Sequence, residues 1–94
     1  MKLIDIIISK NKNKKYTAIF SIDEKIKKIS FGAKGYEDYT THKNKKRRHN
    51  YRQRHSKDKI NSPMTAGSLS WYILWGDSTS MNKNIKLFKS KFNV

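Results

Sequence analysis

Between His42 and His55 the chain reads HKNKKRRHNYRQRH, a run with no acidic residue that holds all four arginines and all three histidines of the sequence. Its cations are Lys43, Lys45, Lys46, Arg47, Arg48, Arg52 and Arg54, and Tyr51 is its one aromatic residue apart from the imidazoles. Carried on to Lys59, the count is nine Lys or Arg against a single acid, Asp58. Ammonium and guanidinium groups at this density suit one kind of chemistry. They hold phosphate oxygens by charge and hydrogen bonding, with steep salt dependence and no sequence information. On a helix, Lys45, Arg48 and Arg52 share one face, and Arg47, Tyr51 and Arg54 share another. A ring set among cations can also stack on a base. The expected partner is therefore DNA or RNA, with Lys34 in the nearby GAKG as an outlying contact.

The plain alternative is a solvated charged face. Lys, Ile and Asn make up 37 of the 94 residues, as coding DNA rich in A and T produces, so much of the lysine excess needs no ligand. The arginines resist that explanation, because compositional drift does not gather all four within eight positions.

Other constellations are weaker. The cations around His42, His49 and His55 oppose a divalent ion, and no carboxylate cluster joins the histidines, so no metal site is expected. They serve as further donors to phosphate or as surface residues. GAKG lacks the spacing of a phosphate-binding loop and is best taken as a turn with positive φ at Gly32 or Gly35. Glu37 and Asp38 suit the approach to a helix start, where negative charge is favourable, better than acid–base work. No catalytic arrangement and no cofactor motif is present, so the protein is expected not to be an enzyme.

The net charge of +15 on 94 residues makes the surface self-repelling, which a polyanion would relieve. Cysteine is absent, which excludes disulfides and thiolate metal sites. MKLIDIIIS is too short and too polar for a secretory signal, and no window approaches a membrane span. The expected location is the cytosol.

These side chains need a scaffold, and the pattern predicts an α+β one in a single small domain over 1–94. Alternation in LIDIII puts Ile4, Ile6 and Ile8 on one face. YTAIFSI does the same for Tyr16, Ala18, Phe20 and Ile22, and KIKKISF for Ile29 and Phe31. Short links, one of them a tight turn at DEK, imply a three-stranded antiparallel meander. A basic helix or arm over 42–59 follows, capped by Thr40 or Thr41 and running to about Lys57, with only Tyr51 to anchor it. Ser62 and Pro63 suit the start of an aromatic helix that pairs Leu69 with Ile73 and Trp71 with Trp75 and stops at Gly76. A last helix begins after Ser78 or Ser80, with Met81, Ile85, Phe88 and Phe92 as its apolar stripe. The two C-terminal helices should cover one face of the sheet. The expected core is Ile6, Phe20, Ile29, Phe31, Leu69, Ile73, Trp75, Ile85 and Phe88.

Several stretches, KKYTAIF, ISFGAKGYEDYTTHK, YRQRH and PMTAGSLSWYILWG, together resemble a family of small basic proteins encoded by large DNA viruses of algae and amoebae. The likeness runs from about Lys15 to Phe92. It departs from the family before PMTAG, where DKINSP stands in place of a Trp-containing W-N-D pattern, and no role is carried over there. The family is functionally uncharacterised, so the resemblance implies a viral origin and a shared small fold without supplying site residues. Its implied setting is the host cytoplasm or viral factory, or the virion itself. Two functions fit. One is sequence-independent binding of DNA or RNA by the Arg/Lys segment. The other is a minor virion or capsid-associated role, in which the basic segment and the aromatic helix contact viral structural proteins.

Overall fold

The computed structural model describes residues 1–94 and shows an α+β arrangement. Strands β1 (Lys2–Ile8), β2 (Lys14–Ile22) and β3 (Lys25–Ala33) pair antiparallel in the order β1-β2-β3, the expected meander. At the β2–β3 link Asp23 and Glu24 both adopt positive φ, +47° and +67°. That makes the two-residue hairpin turn whose twist matches the strands it joins.

Register decides which side chains meet. Phe20 lies opposite Leu3, Ala18 lies between Ile6 and Ile29, and Tyr16 lies between Ile8 and Phe31. This is the core face. An irregularity between Leu3 and Asp5 inserts one extra residue into β1 and reverses its alternation. Leu3 therefore joins the core, while Ile4, expected beside Ile6, turns outward and is 54% exposed. Ile8 keeps the predicted parity but lies beyond the helical cover. On the opposite face Thr17 and Ser30 share a hydroxyl hydrogen bond of 3.0 Å.

The helices are α1 (Tyr39–His42), α2 (Lys45–Arg54), α3 (Ala66–Leu69), which runs on into one π-helical turn (Ser70–Leu74), and α4 (Met81–Phe92). Leu69, Ile73, Leu74 and Phe88 close the core over Leu3, Ala18, Phe20 and Phe31. Five of the nine expected core residues lie at its centre, and Ile6, Ile29, Trp75 and Ile85 pack partly buried around it. None of the helices is long and apolar enough to cross a membrane.

Helix starts differ from expectation because the nearest good acceptor takes the first free amides. Asp38, not a threonine, caps α1, accepting from Thr40 N at 2.9 Å, while the Thr41 hydroxyl accepts from Asp38 N at 3.0 Å. Lys43 then enters the left-handed region, and Asn44 caps α2 by accepting from Lys46 N and Arg47 N. The helix expected from Thr40 or Thr41 to about Lys57 is thus split at Lys43 into two, and only the second, which stops at Arg54, lies wholly in the basic segment. Thr65 replaces Ser62 as the cap of α3. Ser80 caps α4, as the sequence suggests.

Gly76 ends the aromatic helix for a steric reason. A Cβ there would stand 2.1 Å from the Tyr72 carbonyl oxygen and 2.9 Å from Asn84 Cγ. Asn84 is fully buried on α4. Its amide nitrogen donates to Ile73 O at 3.0 Å and Ser78 O at 2.7 Å, and its Oδ1 accepts from Ser78 N at 3.0 Å. One side chain thereby satisfies three backbone groups that the turn would otherwise leave unpaired.

Candidate nucleic-acid interface

The basic helix α2 has no apolar stripe, so its attachment must come from other contacts. Tyr51 provides the first. Its ring lies parallel to Trp75, with centroids 4.2 Å apart and planes 3° from one another, and His55 stacks at 4.2 Å. Two arginines on the same face provide the rest. Arg48 Nε donates to Gly76 O at 2.7 Å and to Trp75 O at 3.2 Å, and its Nη2 donates to Asp77 Oδ1 at 2.7 Å. Arg52 Nε donates to Trp75 O at 3.3 Å, and its guanidinium carbon sits 4.4 Å from the Trp71 ring centroid. These carbonyls end the aromatic helix, where cations are favoured and free acceptors need donors.

Burial has electrostatic consequences. It pushes the Tyr51 hydroxyl up to about 12, with Asp58 acting in the same direction. It also lowers the Arg52 guanidinium from its ordinary value, with Arg48 adding repulsion. His42 is lowered as well, first by burial and then by Arg47. Its Nδ1 accepts from Asn44 N at 2.8 Å, which assigns the proton to Nε2, and that atom is buried without a partner.

The candidate residues therefore divide. Arg48, Arg52 and Tyr51 face inward, and both faces of the Tyr51 ring are covered, so the stacking suggested by its place among arginines is completed inside the fold. Lys45, Lys46, Arg47, His49, Asn50, Gln53 and Arg54 are exposed. Lys43 is exposed between α1 and α2, and Lys34 stands exposed beyond β3. No three His, Asp or Glu side chains converge where they would hold a metal ion.

Arg47, Asn50 and Arg54 occupy one flank of α2, along an open cleft of about 590 Å³ between α2, α3 and the end of the sheet. Lys14 and Lys15 reach it from β2, and His55, Gly67 and Ser70 line it as well. Its acids are already engaged. Asp38 accepts from Lys15 Nζ at 2.7 Å, Asp58 holds His55 Nδ1 at 2.8 Å, and Glu37 lies 3.7 Å from Arg47. The cleft thus presents Lys14 and Arg54 as cations without an acidic partner.

Lys14, Lys15 and Asn50 were not legible as site residues, and His55 was expected only as a donor to phosphate or a surface residue. Lys14 and Lys15 are two among eighteen lysines, and only the sheet register brings them opposite α2. The i−3 and i+4 spacing of Arg47 and Arg54 about Asn50 was the available signal.

The family of unknown function (DUF5754) matches residues 4–55, which span most of β1, all of β2 and β3, α1 and α2, ending at His55. No curated protein and no solved structure matches the chain. The match covers more than half of the sequence, and the chain belongs to this family of unknown function.

Proposed function

We propose that this family member is a non-enzymatic nucleic-acid-binding protein, which holds phosphates without base readout through the outer face of α2. Lys45, Lys46, Arg47 and Arg54 make the principal contacts, and Lys43 and Lys34 lie at the margins. Arg48, Arg52 and Tyr51 act from beneath, keeping the helix rigid and its cations aligned. One observation carries this most directly: every exposed side chain of α2 is basic or an amide, and none is acidic. With no acid among them, the exposed cations of α2 repel one another across the face. A polyanion laid along the face turns that repulsion into affinity by releasing its own counterions. The resemblance to small basic proteins of large DNA viruses supports a viral genome or transcript as the partner, in the host cytoplasm or viral factory.

The test is fluorescence anisotropy on labelled DNA and RNA across a salt series. Wild type is compared with a variant carrying Lys45, Lys46, Arg47 and Arg54 all changed to Ser. Arg48 and Arg52 are left intact because they hold the fold. Binding should persist near physiological salt, and the variant should lose about 3.6 of the wild type's slope in log K against log salt on duplex DNA. A variant that binds as well as wild type refutes the assignment.

A minor virion role is the second reading. The outer face of the sheet supports it, exposing Ile4 and Ile26 at 54% and 56% beside the unpaired edges of β1 and β3. Binding to nucleic acid that vanishes at modest salt, with co-purification of viral shell proteins, would favour it.

A further inference from the structure

We infer that the cleft beside α2 receives an unpaired nucleobase, so that the protein takes single-stranded nucleic acid in preference to duplex. This deepens the proposed phosphate-binding role and rests on it.

The starting observation is a column of rings. His42 packs against Trp75 at 5.2 Å, Trp75 against Tyr51 at 4.2 Å, and Tyr51 against His55 at 4.2 Å. The column ends at His55, whose imidazole is held by Asp58 and lines the cleft. Its side chain is 38% exposed although Tyr51 covers one face. A stack that ends in an open cleft is a place where one more flat ring gains contact on both π-system and edge. The volume of about 590 Å³ admits a base with its sugar.

The surroundings favour a nucleotide over a neutral aromatic. Arg47 and Arg54 stand one turn to either side of Asn50 on the same flank, about 10 Å apart along the helix. Lys14 faces them across the cleft. Phosphates before and after the base would therefore meet cations, while the Asn50 amide offers both a donor and an acceptor to the base edge. Asp38 is held by Lys15 and Glu37 lies beside Arg47, so of the acids on the wall only Asp58, hydrogen-bonded to His55, has no Lys or Arg of its own. A duplex cannot supply the base without extruding it from its stack, and an unpaired strand avoids that penalty.

The experiment uses the full chain and anisotropy near physiological salt, with a short labelled oligothymidylate, an oligouridylate, and a duplex of the same length. Wild type should bind the single strands about tenfold more tightly than duplex, the worth of roughly one stacked base. Gly67→Leu places a side chain on the cleft wall, where a Cβ meets Asp58 only at an ordinary 3.6 Å. It should abolish the preference and leave duplex affinity unchanged. His55→Ala should do the same, and His55→Phe, which keeps the ring column, should restore single-strand binding. Equal binding of strand and duplex by wild type overturns the cleft while leaving the phosphate face standing. So does a preference that survives both Gly67→Leu and His55→Ala. Binding to neither nucleic acid overturns both.

Discussion

α2 and α4 are the two longest helices, both rich in cations, and they are held to the fold by opposite means. α4 follows the ordinary rule: Met81, Ile85, Phe88 and Phe92 form one stripe, Phe88 is 1% exposed, and Lys83, Lys86 and Lys89 point to solvent. α2 has one buried residue, Tyr51, and its other inward contacts come from Arg48 and Arg52. Every cation of α4 is a lysine, whereas the inward cations of α2 are arginines. A guanidinium can serve several carbonyls at once and lie flat on an indole, which a hydrated ammonium does poorly. The difference also revises the meaning of the arginine cluster. Two of its members are explained inside the protein, and the two that flank the cleft are not: Arg47 has only the exposed Glu37 at 3.7 Å, and Arg54 has no acidic partner.

The contrast can be broken most forcefully at its ends. Phe88→Ala should cost about 3–5 kcal/mol, a large share of the stability of so small a fold, and urea unfolding should show the loss in a single transition. Tyr51→Ala should cost about 3 kcal/mol but act more locally. Hydrogen exchange should find the amides of α2 deprotected and those of α4 retained. Equal deprotection of both helices would mean that α2 is as integral to the core as α4.

Arg48→Lys sharpens the comparison at a smaller scale. The change keeps the charge and loses the fork that reaches Gly76, Trp75 and Asp77, so a loss of about 1–2 kcal/mol in chemical denaturation is expected. Lys86→Ala on α4 should fall within about 0.5 kcal/mol of wild type. Similar costs at the two positions would remove the distinction between arginine and lysine drawn above.

The smallest effect is a pH dependence at the junction of α1 and α2. Burial and the charges of Arg47 and Lys15 lower His42, while Glu37 and Asp38 oppose the shift. Above 6.5 the ring is neutral both folded and unfolded. As pH falls through that value, the unfolded chain binds a proton that the folded protein resists, so stability declines until the lowered folded pKa is passed. His42→Asn keeps an acceptor near Asn44 N and removes the titration. Thermal unfolding should show the variant gaining on wild type as pH drops below 6.5, and parallel pH curves would exclude His42 as the cause.

Much of the scaffold was legible. Period-two alternation located three strands, the short DEK link required a hairpin, and the apolar stripe of α4 marked both its extent and its buried side. The failures have physical causes. One extra residue in β1 exchanged Ile4 for Leu3, because a bulge reverses the positions before it relative to those after it and leaves no mark in composition. The cap at Asp38 was overlooked because Thr40 and Thr41 are also good caps, and only the local geometry chooses among them. Asn84 carries no mark in the sequence, because only the turn around Gly76 places three backbone groups within its reach.

The candidate site divides along the same line. The sequence alone determined that a basic segment exists, that its arginines are clustered, and that an antiparallel sheet and two further helices accompany it. Those are properties of charge, periodicity and local propensity. Which cations face inward was decided by tertiary structure, since Arg47 and Arg48 are chemically alike and differ only in what lies beneath each. Helical phase directs Arg48 toward the carbonyls of Trp75 and Gly76, and turns Arg47 to the cleft that Lys14 enters from a distant strand. Contacts between segments so far apart in the chain depend on register and packing together, and neither is encoded in the spacing of one segment.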